Sequence, residues 1–366
     1  MVWAVTGHAE LETVLTSRSF SRSSDNWRAL QEGEIPEDWP MMGNVLLRNM
    51  LTSDNLDHRR LRGLVAKAFT PRRIEEMEPA IESIVTRLIE QLRAADGPVD
   101  LRAEFAFPLP MLVLSELFGI GEQDRPRLVA LVRKGFGSAV MTPEEGAAFY
   151  GEIHSVFSSL IEARRAAPTD DLASALIAAR DEGDQLTDAE LVDMLFLFVA
   201  AGFETTEGAI CNTVRALLTH PEQLELVRSG KVGWDAVVEE VLRWDTSLFT
   251  LPFSYALEDT DLGGVHVAKG DAILLCYGSA GRDEQHHGSA ADTFDVTRPP
   301  SRHLAFGRGP HHCMGAPLAR KEMTIALPRL FEEFPDLALH GDPARLDPVA
   351  SIMTNTVQTL PVTYSR

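Results

Sequence analysis

The segment from Thr187 to His220 constrains this chain more than any other. Thr187 followed three residues later by Glu190 is a capping box, in which hydroxyl and carboxylate each satisfy the other residue's backbone N–H. Nothing stops a helix begun there before His220-Pro221, which predicts about 33 residues, or ~50 Å at 1.5 Å per residue. Its middle, Met194-Leu-Phe-Leu-Phe-Val-Ala-Ala-Gly-Phe203, is apolar on every side, so the helix is expected to run through the centre of the molecule. The unbroken apolar run is far shorter than the roughly 20 residues that span a bilayer, so no membrane insertion is expected.

The other signals are also mostly helical. Residues 74–92 place Ile81, Ile84, Val85, Leu88 and Ile89 on one stripe, predicting an amphipathic helix. Strand character is sparse and late: residues 253–257, 265–267 and 272–276, separated by Gly263-Gly264 and Lys269-Gly270, then residues 356–364. With no linker, repeat or low-complexity segment, residues 1–366 read as one domain, mainly α with a small antiparallel β region. Apolar residues make up 45%, enough to bury a core. The net charge of −20 argues against nucleic-acid binding, which requires neutralised phosphates. Three scattered cysteines (Cys211, Cys276, Cys313) cannot form a disulfide framework or a four-thiolate cluster, and the first residues lack signal-peptide character, so a reducing cytoplasm is expected.

Chemistry concentrates in Phe306-Gly-Arg-Gly-Pro-His-His-Cys-Met-Gly315. Gly307, Gly309 and Gly315 let the main chain approach a flat ligand closely. A helix with Pro317 in its first turn is expected directly after Cys313, and N–H groups there should stabilise a thiolate and lower its pKa. A dinucleotide loop would need a third glycine where His312 stands. Zinc held by His311, His312 and Cys313 is disfavoured, because consecutive residues rarely converge on one tetrahedral ion. A lone stabilised thiolate suits axial ligation of haem iron.

This decapeptide resembles the haem-binding signature of the cytochrome P450 superfamily, Phe-Gly-x-Gly-x-His-x-Cys-x-Gly, at every specified position. The likeness continues through Gly315-Ala-Pro-Leu-Ala-Arg320, as in soluble bacterial members. Glu240-Val-Leu-Arg243 is similar to the family's Glu-x-x-Arg motif, whose i, i+3 spacing suits an ion pair. Ala201-Gly-Phe-Glu-Thr-Thr206 matches its oxygen-groove motif, with a back-bonded Thr expected to bend the helix. Residues 33–36, 243–245 and 281–283 look most like the actinobacterial subfamily that oxidises steroids and macrolides.

The resemblance implies a P450 fold and haem b (iron protoporphyrin IX), with Cys313 as iron ligand. It implies His58, Arg62 and His311 at the propionates, and Phe306, Gly307, Gly315 and Ala201 against the macrocycle. Thr205 would stand beside bound dioxygen, and Glu204 would be the acid of the proton relay. The implied activity is monooxygenation of an apolar small molecule, a steroid, polyketide or macrolide; the alternative is oxidative C–C or C–N coupling. Ferredoxin would supply electrons, docking near Arg59, Arg60, Lys67, Arg72 and Arg73, in a segment (residues 57–73) whose charge of +5 inverts that of the whole chain. Pocket walls would come from residues 39–49, 136–141, Phe196, Ala200, residues 248–251, Ile352 and Met353.

Four departures stand out. Ser254 occupies the place of a propionate-binding arginine, and Thr293 that of an arginine completing the Glu240–Arg243 network, with Arg298 as a substitute. Phe203 replaces a common His, and the family's N-terminal helix has no counterpart.

Overall fold

The computed structural model describes residues 2–36, 38–39, 41–135, 142–179 and 184–365. Its axis is a 32-residue helix, Asp188–Thr219. Both halves of the capping box form: the Glu190 N–H donates to Thr187 Oγ1 (3.3 Å), and the Thr187 N–H donates to the Glu190 carboxylate (2.8 Å). An 18-residue window of this helix has mean hydropathy 1.4, enough by length and composition to cross a membrane, yet 56% of it is buried inside the protein. Burial is distributed differently from the sequence expectation. Residues 206–214 are buried without a break, whereas Phe196, Leu197, Phe198 and Ala200 are half-buried and Ala201 is exposed. The apolar stretch borders the site rather than the deepest core.

Helices Glu78–Ala94, Pro108–Leu117, Pro143–Ala166, Trp234–Trp244 and Ala316–Glu333 surround this axis and share one apolar core with it. The helix expected over residues 74–92 is two, Pro71–Glu76 and Glu78–Ala94, because the chain restarts at Met77 with Pro79 in the new first turn. Its stripe of Ile81, Ile84, Val85, Leu88 and Ile89 is buried as expected.

Nine short strands are described: β1 (Val2–Val5), β2 (Phe20–Ser21), β3 (Val99–Asp100), β4 (Leu251–Ala256), β5 (Thr260–Leu262), β6 (Val265–Val267), β7 (Ala272–Leu275), β8 (Ala338–Leu339) and β9 (Pro361–Thr363). The largest sheet has the order β1-β7-β4-β2, and it is mixed: β1 runs parallel to β7, a pairing across some 270 residues that local pattern cannot reveal. The β5–β6 hairpin turns at Gly263 and Gly264, both at positive φ. Antiparallel β2 and β4 pair Phe20 with Ala256 and Ser21 with Tyr255, so the register brings residue 22 opposite residue 254.

Candidate active site

The loop that ends at Cys313 is closed by its own backbone. The Cys313 N–H donates to the Phe306 carbonyl (2.8 Å) and the Gly307 N–H to the Leu304 carbonyl (2.7 Å). Gly307 (φ 67°) and Gly309 (φ 71°) lie in the left-handed region, and a Cβ on Gly309 would meet the Leu15 carbonyl at 2.6 Å. Helix Ala316–Glu333 follows with Pro317 in its first turn. The Gly315 and Ala316 N–H groups point at the Cys313 sulfur, and Arg62 and Arg320 add positive charge. The expected lowering of the thiol pKa does not result: burial outweighs these donors and pushes it up. Cys313 is reachable from solvent although protein surrounds the sulfur on most sides. Phe306 lies beneath the Arg320 guanidinium, 4.5 Å from its ring centre. Arg320 is held by a forked pair to Glu239 (2.6 and 3.0 Å).

A second group of donors lies around a cavity of about 950 Å³, whose lining includes Arg22, Asp54, His58, Ser254, Tyr277 and His311. Helix Asn55–Ala68 carries His58 and Arg62 one turn apart, and Arg62 Nη2 donates to the His312 carbonyl (2.6 Å), tying this helix to the Cys313 loop. The His58 and His311 rings stand 4.1 Å apart. Burial, then His311 and Arg62, lowers the His58 pKa to about 4. Its Nε2 is buried without a hydrogen-bond partner among the described residues. Asp54 accepts from the backbone N–H groups of Arg22 and Ser23 and from the Ser21 hydroxyl, and His311 Nε2 lies 3.9 Å away. Burial would raise its carboxyl, but these partners, His311 foremost, hold it at about 2.

Arg22 was not anticipated. The residue is 9% exposed, its Nη1 donates to Ser254 Oγ at 3.3 Å, and its Nε has no partner among the described residues. Asp54 acts on it through charge alone, so a buried cation with so little direct pairing suits a further anion. The only sequence signal was the missing arginine at Ser254, because the two residues are 232 positions apart and meet through the β2–β4 register.

On the central helix, Thr205 Oγ1 donates to the Ala201 carbonyl (2.7 Å), the expected back-bond, but helical geometry continues unbroken. The Thr205 carbonyl in turn accepts from Ser247 Oγ (2.6 Å). Burial raises the Glu204 pKa, opposed by a hydrogen bond with Thr354 and by Arg102. Arg102 also pairs with the buried Glu207 (2.8 Å), a bond the sequence reading did not include. Phe203 fills its position by packing edge-on against Phe107.

Glu240 and Arg243 form a buried forked pair, both bonds 2.7 Å. Arg243 also donates to the carbonyls of Gly281, Ala291 and Thr293, so Thr293 participates through its backbone whatever its side chain. Arg298 Nε stands 3.6 Å from Glu240, and its other nitrogens bond the His287 and Ala290 carbonyls.

Of the expected pocket walls, residues 43 and 46–49 and Phe196 line a smaller cavity of about 350 Å³, together with Tyr150, Ile153, His154, Val192 and Asp193, which were not anticipated. Residues 136–141 lie outside the described residues. The basic segment is less open than its charge suggested: Arg60 pairs with Glu190 and Asp184, Arg72 with Glu76, and Arg73 with Asp170.

A cysteine loop feeding a helix, packed on a long helix that carries a half-buried acid and an alcohol, matches the arrangement expected of a helical oxygenase. The sequence profile described as "Cytochrome P450" matches residues 144–229 and 234–357. The chain belongs to the cytochrome P450 family and is a monooxygenase, an oxidoreductase that uses dioxygen and small-molecule substrates. It is similar to a 2-hydroxy-5-methyl-1-naphthoate 7-hydroxylase of Streptomyces carzinostaticus (39% identity, covering 99% of this chain and 89% of the relative). It is also similar to a vitamin D(3) 25-hydroxylase of Pseudonocardia autotrophica (38%, 92% and 82%). Among solved structures, CYP154C4 from Streptomyces sp. ATCC 11861, described as "Testerone bound", superposes with a TM-score of 0.95 at 45% identity, covering 100% of this chain and 90% of that one.

The family is one of haem proteins, and these residues fit that group: a reachable sulfur under two N–H donors, and buried nitrogens on Arg22 and His58 that no described residue satisfies.

Proposed function

We propose that this enzyme hydroxylates a bulky apolar secondary metabolite or steroid in the cytoplasm, as one domain over residues 1–366, with electrons from a ferredoxin. The observation that carries it is the Glu204–Thr205 pair on the central helix. Haem b, when bound, supplies dioxygen activation and the oxidising equivalent. Cys313 would ligate its iron, while His58, His311, Arg62 and Arg22 would hold its carboxylates, and Phe306, Gly307, Gly315 and Ala201 would pack against it. The Thr205 hydroxyl donates a hydrogen bond to the Ala201 carbonyl, which leaves its oxygen lone pairs to accept from a group in the groove. Glu204, with its pKa raised by burial, retains a proton to higher pH than a solvated carboxylate and is the group suited to pass one inward. The Glu240–Arg243 pair fixes the chain around residues 281–293 and acts structurally.

The named substrates of the relatives, a naphthoate and vitamin D3, are polycyclic and largely apolar, and the half-buried Phe196 and Ala200 face would suit such a ligand. Ferredoxin docking is assigned to the Arg62-tethered side of the Cys313 loop, where Arg59 and Lys67 are exposed and Arg60, Arg72 and Arg73 lend charge already shared with acids. The test is Thr205→Ala with a surrogate ferredoxin system and a substrate identified by a spin-state shift. NADPH consumption should continue while hydrogen peroxide replaces hydroxylated product; fully coupled turnover would remove Thr205 from the relay.

A further inference from the structure

Away from the haem-thiolate site, three imidazoles converge at the start of helix His8–Thr16. His8 comes from that helix, and His286 and His287 from the short helix Glu284–His287. Each offers one ring nitrogen, and these nitrogens all lie within 4.8 Å of one another. His8 stacks on His286 with ring centres 3.4 Å apart, and His287 presents its edge to His286 at 4.6 Å. His8 and His287 are buried, at 2% and 9% exposure, and His286 is exposed.

The hydrogen bonds are unusual for packing alone. His8 Nε2 lies 3.0 Å from the Arg302 carbonyl, which can only accept, so that nitrogen carries the proton and Nδ1 holds a lone pair. Among the described residues that Nδ1 is buried without a partner, as are both ring nitrogens of His287. Orphaned buried nitrogens incur the desolvation penalty of a polar group with nothing in return. Asp283 fixes the two helices relative to each other, since its carboxylate accepts the His8 backbone N–H (2.8 Å) and the Gln285 N–H (2.9 Å). A ring oriented through one nitrogen by a carbonyl, with its other nitrogen bare, is the arrangement of a metal-ligating histidine.

We propose that His8, His286 and His287 form a binding site for a borderline transition-metal dication, zinc foremost, which clips the two helices together. A donor set of imidazoles alone selects zinc, nickel or copper over calcium and magnesium, which prefer oxygen. Tetrahedral zinc at ~2.05 Å from each nitrogen would need the donors about 3.3 Å apart. The parallel His8 and His286 rings do not share an in-plane focus as they stand, so His286 must turn about its Cα–Cβ bond. It is the exposed member of the three. Burial holds the His8 and His287 pKa values low, so both are unprotonated and competent to ligate at neutral pH. Asp283 and Glu12 lie near His8 and favour a cation, while Arg243 and Arg298 act on His287 in the opposite sense.

The experiment uses tag-free holoenzyme stripped with chelator and titrated with zinc by calorimetry, with the Soret band followed in parallel. One equivalent should bind with a dissociation constant in the micromolar range or tighter, raise the thermal midpoint and leave the Soret band unchanged; millimolar magnesium should do none of this. His286→Ala, at the exposed position, should weaken zinc binding at least roughly tenfold and abolish the thermal gain. His287→Phe should do the same, and should it fail to fold, the His286 variant decides. No binding in the wild-type protein, or equal affinity in His286→Ala, overturns the site.

Discussion

Arg22 shows how a single side chain alters the reading of a site. Ser254 occupies the place of an arginine, but it sits across the β2–β4 ladder from a guanidinium that the fold buries and leaves underpaired. Arg22→Gln removes the charge and keeps a polar, hydrogen-bonding side chain. Haem transfer from this variant to apomyoglobin should be roughly tenfold faster or more, the loss expected for a charge-assisted hydrogen bond. Its reduction potential should move negative, because a cation near the porphyrin favours the ferrous state. An unchanged transfer rate together with an unchanged potential would take Arg22 out of the site. For Cys313, replacement by Ala should abolish the red-shifted carbon monoxide band of the reduced protein, and persistence of that band would mean a different axial ligand.

Helix Ala316–Glu333 serves two ends at once. Its N-terminus points N–H groups at Cys313, and its body packs on the central helix and on Trp234–Trp244. Within that body Glu322 is 2% exposed and its Oε2 has no partner among the described residues. Burial raises its pKa to about 8. The folded state therefore keeps a proton that the unfolded state releases near pH 4.5, so this residue contributes a loss of stability as pH rises from about 4.5 to 8. Glu322→Gln should stabilise the protein at pH 7.5 by on the order of 2 kcal/mol in urea denaturation. A variant no more stable than the parent would show that Glu322 has a compensating partner. The central helix teaches a related lesson. Its ends were legible from Thr187, Glu190 and His220, because caps are local chemistry. Its burial was not, because a hydrophobic face behaves identically toward a core and toward a ligand cavity.

Across the whole molecule, acid sensitivity should begin with histidines. His58 and His287 are both held near pKa 4, chiefly by burial, with His311 and Arg62 acting on the first and His286, Arg243, His8 and Arg298 on the second. Their unfolded values lie near 6.5, so below that pH the unfolded chain takes up protons the native state refuses. Stability should fall between about pH 6.5 and 4 by up to ~1.4 kcal/mol per pH unit for each group. Thermal midpoints measured with chelator present should drop over this range, and His287→Phe should flatten the slope. A midpoint constant from pH 7.5 to 5 would contradict the assignment. Ion pairing also redistributes charge: the +5 of residues 57–73 is partly cancelled by Glu190, Asp184, Glu76 and Asp170, which lie elsewhere in the chain or one turn away.

The long capped helix, the glycine-bounded cysteine turn with its following helix, and the Glu240–Arg243 pairing were all legible in the chain's local order. Each depends on residues within a few positions, where spacing and backbone stereochemistry leave little choice. The parallel β1–β7 pairing, the encounter of Arg22 with Ser254, the convergence of His8 on His286 and His287, and the sign of the Cys313 shift came from the folded arrangement alone. These are set by which distant segments meet and by how much water they exclude. Neither quantity is written in local order.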